Sequence, residues 1–157
     1  MTDLSLQGQA CGKFILLGDH FVAHGSPAIA FPVPSLFCHI QLQRQNSPTL
    51  NLKKSMQAEI RGVQAVGAVG SKMRQTLSAA LNALGMAEEV DHWTVQSQTN
   101  FSTSRGFGSS AAFSAALLRA VLTYQEKTGR PKPKENEIHS ILQNMEKIFH
   151  SNPSGVD

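Results

Sequence analysis

Apolar residues along this chain recur with two different periods, and the change of period divides the sequence. From Phe14 to Leu17 the chain is continuously apolar and stops at Gly18, a run too short for a helix, so it predicts a short buried strand. A second apolar run, Ala28 to Phe31, follows the turn signal His24-Gly-Ser-Pro27 and predicts another. Leu36, Cys38, Ile40 and Leu42 alternate with more polar neighbours, the period of a half-buried strand, and Leu50 with Leu52 open a further one after Asn46-Ser-Pro48. Beyond Ser71 the period becomes helical. Met73, Leu77, Ala80, Leu81 and Leu84 share one helix face, and Gly85 is a fitting stop. Trp93 and Val95 alternate with polar residues over 91–96, predicting one more strand just ahead of a glycine-rich segment. Ser109 to Gln125 is rich in Ala and Leu without Pro or Gly, Gly129-Arg-Pro131 breaks it, and Pro133 opens a last helix running to Phe149. The first third is therefore β-rich and the second half helical.

Composition narrows the class. The chain has 157 residues, 41% hydrophobic and 16% charged, against roughly 25% charge in an average soluble domain, so one folded domain is expected and compositional disorder is not. No apolar run approaches the roughly 18 residues of a spanning helix, and Met1-Thr-Asp-Leu-Ser-Leu lacks the basic and apolar regions of a signal peptide. The expectation is a soluble, cytoplasmic protein without a membrane partner. Cys11 and Cys38 can make at most one disulfide and are too few for a structural zinc site, which predicts buried, reduced thiols. Fourteen Lys and Arg against eleven Asp and Glu give +3, but the basic residues are scattered. No nucleic-acid partner is expected from so weak a footprint.

Candidate chemistry concentrates in four places. Arg105-Gly-Phe-Gly-Ser-Ser-Ala-Ala112 lies between a predicted strand and a predicted helix, where Gly106 and Gly108 let the backbone approach a ligand and the next helical turn offers its amides to an anion. A plain glycine turn capped by Ser109 is the alternative. The dinucleotide fingerprint fails on context, because the acidic residue at the right distance, Glu126, falls on the predicted helix, and no Gly-Lys-Ser/Thr follows as a P-loop requires. Lys13 precedes the first strand and Asp19 with His20 follow it; taken alone, that pattern is better read as a snorkelling lysine and a turn-forming aspartate than as a site. His20 and His24 are four apart but lack the glutamate of a helical zinc pair. Glu146 shares a partly apolar helix face with Leu142 and His139, either seeking a partner or sitting at a wet rim. Asn152 to Asp157 is a turn ending in a carboxylate, which also reads as a solvated tail.

Together, three of these segments resemble signatures of the GHMP small-molecule kinases, and within that family of its mevalonate-phosphorylating branch. The segment 12–30 is similar to the first motif, 106–112 to the phosphate loop, and 146–157 to the segment with a metal-binding glutamate and a catalytic aspartate, in the family's order. Asp19 stands where a glutamate is usual, and Cys11 where a proline is. The resemblance implies an α/β (α+β) fold, the N-terminal domain of a GHMP kinase, with a mixed sheet packed with helices. It implies that 1–157 forms this ATP-binding domain incompletely, ahead of a C-terminal domain that closes the cleft. It further implies ATP and Mg²⁺ as cofactors, and transfer of the γ-phosphoryl to a hydroxyl of mevalonate, by an enzyme for which a homodimer is allowed. Gly106, Phe107, Gly108, Ser109 and Ser110 would hold the nucleotide, Ser110 and Glu146 the metal, Asp157 and Lys13 the catalytic work, and Asp19 and His20 the substrate. The competing expectations are a non-catalytic nucleotide-binding piece and a phosphomevalonate kinase. An RNA-binding module ranks last, for want of aromatic stacking motifs.

Overall fold

The computed structural model describes residues 4–18, 26–48, 56–60, 63–65, 68–102 and 106–150. Five strands, β1 (Ser5–Leu17), β2 (Ile29–Arg44), β3 (Met56–Ile60), β4 (Val63–Ala65) and β5 (Trp93–Thr99), form one sheet in the order β1-β2-β5-β3-β4. The sheet is mixed: β3 runs parallel to β5, and the other neighbours are antiparallel. Helices α1 (Ala68–Ala83), α2 (Ser109–Lys127) and α3 (Glu135–Glu146) follow the predicted periodicities, and a short 3-10 turn (Ala87–His92) leads into β5.

Alternation decides which sheet face the helices cover. Leu6, Ala10, Cys38, Ile40, Leu42, Met56, Ala58, Trp93 and Val95 all turn inward and are buried, while Gln7, Gln9, Gln57, Gln96 and Gln98 on the other face are exposed. Helix α2 lies across β1 and β2, α1 packs on β3, and α3 closes against both helices. The approach of α2 to β1 is unusually close because it is made by small residues. A Cβ at Gly8 would fall 1.9 Å from the Ala116 carbonyl oxygen, and Ala112, Ala116 and Ala120 supply the helix face there.

Four sequence expectations are revised. The strand expected over Phe14–Leu17 begins nine residues earlier in the structure, since the small inward residues Gly8, Ala10 and Gly12 are inconspicuous to a hydrophobic pattern although they are what α2 needs. Its apolar end is not buried: Phe14, Leu16 and Leu17, with Ile29 and Phe31 opposite, are about half exposed. The two strands expected at 28–31 and 36–42 are one, β2, with a register shift where Cys11 pairs with Phe37 and Gly12 with Val33. Three β2 residues are thereby skipped, and Asn100 answers the displaced backbone, accepting from the Phe37 N–H at 2.8 Å and donating to the Ser35 carbonyl at 2.8 Å. Finally, Cys38 is buried but Cys11 is exposed, both as free thiols. The strand expected at Leu50–Leu52 lies outside the described residues.

Candidate active site

The β1–β2 irregularity is what brings β1 to the glycine-rich loop. Lys13 directly follows it, and its N–H donates to the Phe107 carbonyl at 3.0 Å; at Gly12 a Cβ would come within 2.9 Å of the same oxygen. Gly106 and Gly108 take φ of 72° and 66°, the left-handed region that glycine enters without steric cost. At Gly108 the requirement is double, because a Cβ would also lie 2.7 Å from Cγ of Lys13, whose stem crosses the loop there.

Gly108 caps α2, its carbonyl accepting from Ala112 N–H at 2.9 Å, so that the amides of 109–111 point out of the helix end into the loop. Ser110 and Ser114 are four apart and share a face of the helix. Both face Glu146, the last residue of α3, which is only 1% exposed. Ser110 Oγ donates to Glu146 Oε2 and Ser114 Oγ to Oε1, each at 2.8 Å. His150 Nε2 lies 3.0 Å from Ser110 Oγ on its other side.

Two cavities flank this centre. One, of about 380 Å³, is bordered by Lys13, Phe31, Gly108, Ser114, Arg119 and Glu146. The other, of about 320 Å³, is bordered by Lys72, Thr99, Ser109, Ser110, Phe113 and His150. In its wall Phe149 meets Phe113 edge to face at 6.1 Å, and Lys72 Nζ stands 5.5 Å over the Phe149 ring. Ser97, also on that wall, meets buried Cys38, whose thiol pKa burial pushes up to about 11 against the opposing effect of the Ser97 and Thr99 hydroxyls.

The structure thus draws Lys13, Phe107, Gly108, Ser109, Ser110 and Glu146 together, with Gly106 at the loop's exposed edge. Asp19, His20 and Asp157 lie outside the described residues. Sequence reasoning missed Ser114 and the contact of His150; their only signal was spacing, four residues after Ser110 and four after Glu146. His139, expected to share the face of Glu146, is exposed.

The profile of the GHMP kinases N terminal domain matches residues 71–157. The chain belongs to the GHMP kinase family. A mevalonate kinase of Aeropyrum pernix is 28% identical over 156 residues, covering 96% of this chain and 46% of the relative. Among solved structures, the mevalonate kinase of methicillin-resistant Staphylococcus aureus is 28% identical with a TM-score of 0.69, covering 98% of this chain and 48% of that one. A mevalonate diphosphate decarboxylase from Legionella pneumophila shares the fold at 16% identity and a TM-score of 0.68, with 92% and 47% covered. The chain spans about half the length of these GHMP relatives. A fold common to a kinase and a decarboxylase does not by itself select the reaction.

Proposed function

We propose that this chain is the N-terminal, ATP-binding part of a GHMP kinase that phosphorylates a small-molecule hydroxyl, with mevalonate as substrate and 5-phosphomevalonate as product. The observation that carries this reading is the convergence of Ser110 and Glu146 beneath the glycine-bounded start of α2, with Lys13 laid over the same glycine. The backbone of Gly106 to Ser110 cradles the phosphates, and the helix end favours their charge. A hydroxyl and a carboxylate are the donors a hard cation takes, and two protein oxygens suit Mg²⁺, which keeps water and phosphate oxygens for its other positions. When bound, Mg²⁺ neutralises charge developing on the transferred phosphoryl group.

The remaining roles follow the family motifs. Lys13, beside the loop, and Asp157 are the catalytic pair, with Asp157 orienting the substrate hydroxyl and taking its proton. Asp19 and His20 line the substrate side. In this reading residues 1–157 are one domain, closed over the cleft by a further domain in the longer relatives. Ser110→Ala and Glu146→Gln should each weaken the Mg²⁺ dependence of phosphoryl transfer, measured from ATP and mevalonate in a coupled assay; wild-type magnesium curves from both would remove the metal assignment. Beside the Aeropyrum pernix enzyme, the 157-residue chain should turn over at less than about one tenth the rate, since an open cleft admits water and misplacement by about 1 Å can cost on the order of 10²-fold. Comparable rates would show that no further domain is required. Replacing mevalonate by 5-phosphomevalonate separates the two neighbouring kinase activities.

A further inference from the structure

We infer that His150 is a positioning residue, which accepts the Ser110 hydroxyl hydrogen when a divalent cation enters and thereby lets Ser110 and Glu146 serve that cation together. The inference rests on the cation reading above and adds to it a residue that the reading does not use. In the 2.8 Å contact Ser110 Oγ donates to Glu146 Oε2, so the single hydroxyl hydrogen of Ser110 points at the carboxylate. That hydrogen occupies the space between the two oxygens where a shared cation would sit. For both to present lone pairs to one cation, the O–H must rotate away.

The carboxylate is poorly placed to make the adjustment instead. Glu146 is buried, and Ser114 holds its Oε1 at 2.8 Å. Among the described residues, the other polar side-chain atom within hydrogen-bond reach of Ser110 Oγ is His150 Nε2, at 3.0 Å. The backbone fixes this neighbour, because the His150 N–H donates to the Glu146 carbonyl at 2.9 Å just past the end of α3.

A neutral imidazole donates from one nitrogen and accepts at the other. With the Ser110 hydrogen given to Glu146, Nε2 carries the ring hydrogen and donates to Oγ. With the hydroxyl turned, Nε2 accepts and the ring hydrogen resides on Nδ1, having exchanged through water. Each arrangement holds one hydroxyl hydrogen and one ring hydrogen, so no net proton is taken up or lost.

The test titrates Mn²⁺, a cation that also prefers oxygen ligands, into this chain in the presence of ATP, following binding by water-proton relaxation. His150→Phe keeps a ring but no acceptor and should bind about tenfold more weakly, the order expected when one hydroxyl loses its partner. His150→Gln offers an amide oxygen and should return to within about threefold of wild type. With Mg²⁺ in place of Mn²⁺, the ¹⁵N signal of His150 Nε2 should change from a protonated to an unprotonated nitrogen as the cation is added. Wild-type affinity in His150→Phe, no recovery in His150→Gln, or an Nε2 that stays protonated would each overturn the inference. Failure of the underlying cation site would look different, because Glu146→Gln would then bind Mn²⁺ as tightly as wild type.

Discussion

Helix α2 begins at a buried glutamate and ends near a partly exposed one, and the two are treated differently. At its start, Glu146 receives hydroxyls from the helix itself, Ser110 and Ser114. Near its end, Glu89 receives the Tyr124 hydroxyl at 2.9 Å together with guanidinium groups, Arg130 at 3.0 Å and Arg44 at 3.5 Å. The Tyr124 ring in turn packs edge to face on Trp93 at 4.8 Å and lies under Arg44. Burial, then the bond to Glu89 and its charge, raise the Tyr124 pKa. Guanidinium groups remain charged at any ordinary pH and cannot be exchanged for a metal, whereas hydroxyl oxygens can turn to one. On the proposed reading, the arginine-bound end stays as it is and the hydroxyls at the other end turn to a cation.

Glycines with left-handed backbone bound both ends, Gly108 at φ 66° and Gly129 at φ 71°, and provide the strongest way to break the comparison. Gly108→Val should lower Mg-ATP affinity by at least about 100-fold, since it combines backbone strain with collision against Lys13; unchanged affinity by calorimetry would remove the loop from nucleotide binding. Next in size is an effect in the sheet beneath. The Cys38 thiol has a pKa near 9 when unfolded and about 11 when folded, so between those values the unfolded chain binds fewer protons and stability falls as pH rises. The loss at pH 11 should be about 2 kcal/mol. Urea unfolding at pH 8 and pH 11 measures it, and Cys38→Ala should flatten the slope except for the part that Tyr124 contributes in the same direction.

Glu89→Gln should cost about 1–2 kcal/mol, less than a fully buried pair because its arginines are more than a third exposed and screened by water. It should leave Mn²⁺ binding unchanged; a lower melting temperature together with weaker cation binding would mean that the two ends are coupled. The smallest effect is expected from Gly129→Ala. A Cβ there meets nothing within 4 Å, so the cost is the left-handed backbone alone, about 1 kcal/mol of stability, with no change in nucleotide affinity.

Much of this contrast was written in residue spacing. The three helices were legible because Leu77, Leu81, Leu117, Val121, Ile141 and Met145 repeat with the helical period and are buried. The loop's backbone was legible because Gly106 and Gly108, ahead of an Ala-rich helix, mark a tight turn, and both take positive φ. Hidden instead were features made by what side chains lack. Gly8 and Gly12 matter through close approach of backbones, and hydropathy assigns them nothing. Pro32 and Pro34 lie within β2, where an antiparallel strand accommodates them beside an irregularity that Asn100, 65 residues after Ser35, repairs from a distance. In the site, Lys13, Ser110 and Glu146 were singled out together only by resemblance to the family motifs. Ser114 resembled any serine in a helix until the fold placed a carboxylate opposite it, 32 residues along the chain.

The contact at Gly8 also has a mechanical meaning. At Gly8 no strand side chain separates β1 from the backbone of α2, so the two elements touch directly there and Gly8 with Ala116 acts as a fulcrum between them. From that fulcrum one arm reaches five residues along the strand to Lys13, roughly 16 Å, and the other six residues back along the helix to Ser110, roughly 9 Å. A small angular slip at the fulcrum would be magnified at both tips. The placement of the lysine and of the serine is therefore set a full helical turn and more away from either, by a residue whose contribution is to take up no room.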